Sequence, residues 1–210
     1  MDDSFGWDEV AAAYADEFGD ELSAKPFDRR MLDRLAERAS PIGPLCDLGC
    51  GPGQIAAYLH SSGHRVAGID LSPEMVRQAN RCHPDIDFAV GDMADLSEVP
   101  DKTFGGVAAF YSIVNIPEHD HEVVFGEIAR VLRPAGWLLL SFHVGEETRL
   151  VEEFLGSPVR LTFYFFAVER VRERLESAGL EVVEAMQREP YPESVEARTT
   201  RAYLFAQRPA

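Results

Sequence analysis

Lysine is nearly absent from this chain. Of its 20 basic residues only Lys25 and Lys102 are lysines, and the arginines that make up the rest are scattered rather than clustered. Against them stand 36 acidic residues, giving a formal net charge of −16 with histidine neutral. A surface that acidic repels phosphate backbones and anionic lipid headgroups, which argues against nucleic-acid and membrane-surface partners. Cysteine is scarce too: Cys46, Cys50 and Cys82 form an odd set with no CxxC pair or His-x-x-x-His cluster beside them. Neither a disulfide framework nor a zinc site is expected, and no metal is assigned. Long apolar runs are missing as well. The longest nearly apolar stretch, residues 107–116, is about half of a membrane span. The opening MDDSFGWDEV is acidic and polar, where a secretory signal needs a basic start and an apolar run. These absences predict a soluble, cytoplasmic protein, and no internal repeat or low-complexity tract complicates the reading.

What is present is a globular composition. With 210 residues, 46% of them hydrophobic, the chain can bury a real core in one sizeable domain and is too short for two ordinary ones. Its middle alternates strand-like and helix-like segments. Strands are expected at 45–48, 65–70, 86–90, 106–111 and 137–142. Between them lie a helical stretch at 54–60, a helix capped by Ser72 with Pro73 at its first position, and a helix at 119–132. In the last of these, Val124, Ile128, Val131 and Leu132 recur at helical spacing, and Arg133-Pro134-Ala135-Gly136 stops it. Strands separated by helices imply βαβ units and a parallel, doubly wound sheet.

The ends differ. Residues 1–40 read as helical, with Met31, Leu32, Leu35, Ala36 and Ala39 on one face of a helix behind Pro26. Residues 145–166 read as a less regular stretch. A helix follows (Val168, Val171, Leu175, Ala178, closed by Gly179), then two strands at 180–186 and 202–207 with no helix between them. Such a pair should run antiparallel. The predicted fold is therefore α/β: a Rossmann-like doubly wound sheet of seven strands, five parallel plus a C-terminal antiparallel hairpin, with helices on both faces.

The strongest motif is Asp47-Leu48-Gly49-Cys50-Gly51-Pro52-Gly53-Gln54, at the end of the first strand. Its glycines allow a tight turn and close approach of a ligand to the backbone. In a doubly wound sheet that turn is where a nucleotide-like ligand sits. Asp70 ends the second strand, 21 residues after Gly49, where a carboxylate can accept from both ribose hydroxyls. The dinucleotide fingerprint is G-x-G-x-x-G, whereas the third glycine here comes two residues after the second. Asp47 would also be awkward beside a pyrophosphate and suits a ligand with an ammonium group. S-adenosylmethionine has adenosine, a sulfonium and an ammonium-bearing tail, and no phosphate.

LCDLGCGPGQIAAYL, GIDLSPEMV, GDMADL, VAAFYSIVNIP and RVLRPAGWLLLSFH together resemble the successive motifs of class I S-adenosylmethionine-dependent methyltransferases, of the short bacterial type acting on small molecules. The resemblance covers about residues 5–208. It implies one domain over 1–210: a helical cap at 1–40, a cofactor-binding core at 41–143, a substrate-side insertion at 144–167, and a helix with the terminal hairpin at 168–210. It further implies that Gly49, Gly51 and Gly53 hold the methionine part of the cofactor, with Asp47 nearby. Asp70 would take the ribose hydroxyls, and Leu71 and Met75 would pack near the adenine. Asp92 and Met93 would border the adenine, and residues Ala109 to Tyr111 would line the methyl-transfer face. Tyr14 resembles an aromatic that closes over the cofactor, and Lys25 is a candidate for its carboxylate. The chain departs from the pattern at Gly105, where relatives carry Asp, at Asn115, where they often carry His, and at Ala135, which replaces a glycine.

Plainer readings stand beside these. Asp70 could be a helix cap, although Ser72 already fits that role. Asp92 could be a turn residue, Tyr14 ordinary helix packing, and Lys25 a solvated charge. The run Phe163-Tyr164-Phe165-Phe166 reads first as a buried strand and second as part of an acceptor pocket. Among the histidines, His143 is the candidate general base; His119 and His121 lie in the loop after the fourth strand. The predicted function is methyl transfer to a small organic acceptor of hydrophobic or aromatic character. The alternatives are a non-catalytic S-adenosylmethionine-binding protein and a nicotinamide-dependent oxidoreductase.

Overall fold

Strand β1 (Leu45–Leu48) is buried at every position, as expected of a strand covered on both faces. In the computed structural model, which describes the backbone from residue 4 and side chains from residue 6, it is an interior strand of the main sheet. The opening residues 1–3, part of the expected helical cap, lie outside the described residues.

Ahead of β1 come α1 (Ser4–Phe18) and α2 (Pro26–Ala39). The alternating unit then runs α3 (Gln54–Ser61), β2 (Val66–Asp70), α4 (Pro73–Cys82), β3 (Asp87–Val90), β4 (Phe104–Phe110), α5 (His121–Val131) and β5 (Leu132–His143). A hairpin, β6 (Thr148–Phe154) and β7 (Ser157–Tyr164), leads to α6 (Val168–Ser177), β8 (Glu181–Arg188) and β9 (Arg201–Gln207). The main sheet has the order β3-β2-β1-β4-β5-β9-β8. The first five strands in that order pair parallel, and β9 pairs antiparallel with both β5 and β8. This is the expected seven-stranded sheet, and its direction of winding reverses beside β1, the switch point where such sheets bind ligands.

Alternation along the strands divides the core between the two faces. Val107, Ala109, Leu138, Leu140 and Leu204 pack with Phe125, Ile128 and Leu175 from α5 and α6. Ala108, Leu139, Tyr203 and Phe205 pack with Met31, Leu35 and Leu59 from α2 and α3. Ser72 caps α4 as expected, accepting the Met75 N–H at 3.1 Å.

Two segments differ from the sequence reading. Strand β5 begins at Leu132 rather than 137: Leu132 pairs with Phe104, the register then shifts, and Trp137 pairs with Gly106. Ala135 takes a left-handed φ of +61° there, so the Arg-Pro-Ala-Gly turn is an irregularity within a strand and not a break before it. The stretch 145–166, expected to be irregular, contains a regular antiparallel hairpin forming its own two-stranded sheet. Its turn places Leu155 and Gly156 at φ +51° and +77°. Asn-Gly or Asp-Gly would have signalled that turn; Leu-Gly does not.

Candidate active site

The carboxyl ends of β1, β2, β4 and β5 open into a cavity of about 720 Å³. Helix α1, the β6–β7 hairpin and the β8–β9 connection complete its walls.

At one end is the glycine loop. Gly49, Gly51 and Gly53 all have positive φ, at +74°, +52° and +89°. A Cβ on Gly49 would sit 2.3 Å from Ser112 Cβ, whereas one on Gly51 would meet nothing within 4 Å. The loop therefore presents bare backbone to the open space at Gly51 and packs tightly at Gly49. Asp70 faces it: Oδ2 accepts the Gly51 N–H at 2.8 Å, and Oδ1 accepts the Ser72 N–H at 2.9 Å. Burial, the largest effect, raises the Asp70 carboxyl above the usual carboxylate range, and the two N–H donors oppose it. Each carboxylate oxygen retains a lone pair for a further donor. Leu71, Met75 and Met93 line the same end. Asp92 lines it too, while its Oδ1 accepts the Ala94 N–H at 2.8 Å, as the turn reading expects.

Helix α1 crosses this end. Asp8 fastens it to the start of α4 by accepting from the Ser72 hydroxyl and, at 3.2 Å, from the Glu74 N–H. Tyr14 reaches the cavity in contact with Trp7 and Phe18, ring centroids 5.6 and 4.5 Å away. Burial raises its hydroxyl pKa, and Glu21 and Asp70 add to the rise. Lys25 is buried in the wall and paired with Glu21, contrary to the solvated reading. Glu21 also accepts from Gln54 Nε2 at 3.0 Å. Gln54 Oε1 and Ser112 Oγ are buried without a partner among the described residues.

At the other end, His143 lies between Tyr111 and Phe165, ring centroids 5.4 and 5.3 Å away and ring planes within 30°. Its Nδ1 is 2.9 Å from Thr199 Oγ1. Burial, followed by the Arg201 charge, lowers its pKa to about 4, so the ring is neutral at ordinary pH. Phe163 and Phe165 line this end, while Phe165 and Phe166 are buried and Phe163 and Tyr164 pack against the core, as the first reading of the aromatic run expects. Asn115, also in the lining, donates to Thr162 O at 2.9 Å and ties the hairpin to the end of β4.

Beneath this end lies a buried polar cluster. The Tyr111 and Tyr203 hydroxyls are 2.7 Å apart, and Tyr203 donates to Asp28. Arg188 reaches Asp28 at 3.1 Å and Glu196 at 2.5 Å, and Arg201 reaches Glu196 at 3.1 Å.

Three expected site residues do not line the cavity. Asp47 lies beneath the wall, and its Oδ2 accepts the Ala56 N–H at 3.0 Å, holding the first turn of α3. Gly53 is the left-handed residue that opens α3, and a Cβ there would strike Phe88 at 2.7 Å. Ala109 points into the core on the α5 face, because along β4 only the terminal residues reach the opening. The other two histidines are elsewhere: His119 is exposed, and His121 is buried against Phe125 and Phe166. Trp7, Glu21, Gln54, Ser112, Glu196 and Arg201 line the cavity and were not singled out. Gln54 and Ser112 fall within quoted motifs without a role assigned to them; nothing local marks the others, which tertiary packing alone brings to the cavity.

The fold and the cavity at its switch point have the architecture of the class I S-adenosylmethionine-dependent methyltransferases. Residues 46–140, somewhat under half of the chain, match the methyltransferase-domain family. Trans-aconitate 2-methyltransferase of Escherichia coli O139:H28 is 34% identical over 99 residues, covering 46% of this chain and 38% of the relative. The match thus spans well under half the length of that enzyme. A methyltransferase from Methanosarcina mazei superposes with a TM-score of 0.74 at 18% identity, covering 84% of this chain and 97% of the other. The 1,6-didemethyltoxoflavin-N1-methyltransferase of Burkholderia thailandensis, solved with its acceptor and S-adenosylhomocysteine, gives 0.71 at 21% identity, covering 96% and 84%.

The cofactor of such a domain is S-adenosylmethionine, and the cavity fits it. The open side of Gly51, the spare lone pairs of Asp70 and the unpartnered Ser112 and Gln54 oxygens lie along one end of the cavity. They offer the mixture of acceptors that a ribose and an ammonium-bearing tail require.

Proposed function

We propose that the protein transfers the methyl group of S-adenosylmethionine to a small organic acceptor. The observation that carries this reading is the pairing of Asp70 with the Gly51 amide at the cavity mouth. It leaves a half-buried carboxylate with free lone pairs facing a bare backbone turn.

In this reading Asp70 accepts from the ribose hydroxyls, while Leu71, Met75 and Met93 flank the adenine and Asp92 accepts from its amine. Gly49, Gly51 and Ser112 hold the tail, with Lys25 and Gln54 at its far end, and Tyr14 covers the cofactor from α1. When bound, the cofactor supplies a methyl group on a sulfonium, a good leaving group. The protein's task is then largely to hold the acceptor atom in line with that carbon. The apolar walls exclude water, and Tyr111 marks the boundary between the two ends of the cavity. His143 is proposed as the proton acceptor for an acceptor that must lose one. In the tautomer whose Nδ1–H donates to Thr199, Nε2 keeps a free lone pair. A pKa of about 4 suits readily ionised acceptors better than aliphatic alcohols, because a base this weak offers little driving force.

The test is calorimetric titration of S-adenosylhomocysteine and S-adenosylmethionine into ligand-stripped protein, followed by mass-spectrometric search for methylated products among small organic acids, phenols and amines. Cofactor binding with a methylated product supports the reading. Absence of cofactor binding overturns it, and binding without product from any acceptor leaves the non-catalytic binding protein in its place.

A further inference from the structure

The acceptor end of the cavity combines flat apolar walls with one buried cation that is not fully engaged. Arg201 is only 3% exposed, yet it lines the cavity. Its Nη1 donates to Thr199 O and its Nε is 3.1 Å from Glu196; among the described residues Nη2 has no partner. A guanidinium presents its donors in a fixed planar fork that matches a carboxylate, and buried polar groups of this kind normally find partners. A second guanidinium, Arg149, sits 4.4 Å above the Phe165 ring at the same end. Arg149 is itself held by Glu147, its Nε donating to Oε1 at 3.0 Å, so Arg201 is the cation at this end with a donor to spare.

The walls limit what can lie beside them. Tyr111, His143 and Phe165 form a three-ring stack, and Phe154 and Phe163 face the cavity from the hairpin. Side chains of this kind favour a planar partner that can stack or meet them edge-on. We infer that the acceptor is a planar organic anion, an aromatic or conjugated molecule whose carboxylate is taken by Arg201 while its flat body lies against Phe163 and Phe165. This rests on the methyltransferase reading and extends it to the acceptor's class. Arg201 acts as a specificity and positioning residue; the geometry requires no contact between it and the transferred methyl.

The experiment uses the complex with S-adenosylhomocysteine, titrated with cinnamate and, separately, with its neutral isostere cinnamamide; benzoate and benzamide serve as a shorter pair. The expected result is that the carboxylates bind at least tenfold more tightly than the amides. In Arg201→Gln that preference falls below threefold while affinity for S-adenosylhomocysteine stays within twofold of wild type. Equal binding of carboxylate and amide, or binding of neither, overturns the inference, as does a preference that survives Arg201→Gln. If Arg201→Gln fails to bind S-adenosylhomocysteine, the wild-type comparison and Arg201→Lys decide. Lysine keeps the charge without the fork and should retain part of the preference; a carboxylate preference as large as wild type in Arg201→Lys removes the fork argument. Failure of wild type to bind S-adenosylhomocysteine is a separate result that sinks the methyltransferase reading itself.

Discussion

Asp70 and Gly51, neighbours in the lining at one end of the cavity, are joined by a 2.8 Å hydrogen bond from the Gly51 amide to Asp70 Oδ2. The bond couples the turn after β1 to the end of β2, so the carboxylate both shapes the loop and faces its ligand. Asp70→Ala should weaken S-adenosylhomocysteine binding by about 1.5–3 kcal/mol, the scale of hydrogen bonds to a charged group, or roughly ten- to hundredfold. Calorimetry checks this. An affinity within threefold of wild type would remove Asp70 from the binding role.

Tyr14 separates two contributions. Its ring packs against Trp7 and Phe18, whereas its hydroxyl has no hydrogen-bond partner among the described residues. Tyr14→Phe should leave S-adenosylhomocysteine affinity within about twofold, and Tyr14→Ala should reduce it by about 1 kcal/mol or more through loss of aromatic contact. If both variants lose affinity equally, the hydroxyl carries the interaction and the packing account fails.

Asp47 predicts a pH dependence. Burial raises its pKa from 3.8 to about 7, with the Ala56 N–H opposing and the Asp70 charge adding to the rise. The folded pKa lies above the unfolded one, so the unfolded chain gives up its proton first. The stability associated with this group is therefore present at low pH and lost as pH rises from about 4 to about 7. Asp47→Asn cannot ionise and still offers an oxygen to Ala56. Relative to wild type it should gain about 4 kcal/mol between pH 4 and pH 8, because each tenfold change in proton affinity is worth about 1.4 kcal/mol. Denaturant titrations of both proteins across that range provide the measurement, and a constant difference would show that Asp47 does not titrate as described.

Arg188 is held by Asp28, Glu196 and Tyr203 beneath the acceptor end. Removing one member of a buried ionic cluster leaves its partners uncompensated, at a cost of about 3–5 kcal/mol. Arg188→Met should lower the melting temperature by about 10 °C in a chain of this size. A drop under about 3 °C, corresponding to roughly 1 kcal/mol, would mean that the cluster's members find water or other partners when it is broken.

The main sheet was legible because its code is local. Short apolar runs ending in glycine, Ser72-Pro73 at a helix start, and the spacing from Gly49 to Asp70 each report on neighbours in the chain. What escaped depends on the third dimension. The Leu155-Gly156 turn adopts a conformation that its residue types do not advertise, so the hairpin read as irregular. Asp47 and Ala109 occupy positions from which chain order suggests ligand contact, but strand alternation and the α3 terminus turn them inward. Lys25 read as a surface charge because nothing in its local sequence shows that Glu21 and the cavity wall enclose it. Arg201 opens β9, and only the pairing of β9 with β5 carries it to His143, its register partner.

The hairpin β6–β7 hydrogen-bonds as its own sheet and shares no ladder with the seven-stranded one. It nonetheless contributes Arg149, Phe154 and Phe163 to the acceptor end, and the glycine loop and Asp70 lie entirely outside it. The glycine loop and Asp70 thus stand on the main sheet alone, whereas the other end of the cavity mixes hairpin residues with Tyr111, His143 and Arg201 from the ends of main-sheet strands. An exchange of residues 148–164 for a hairpin of different lining would be a graft onto an intact chassis, altering the walls of one end of the cavity without rebuilding the glycine loop and Asp70 at the other.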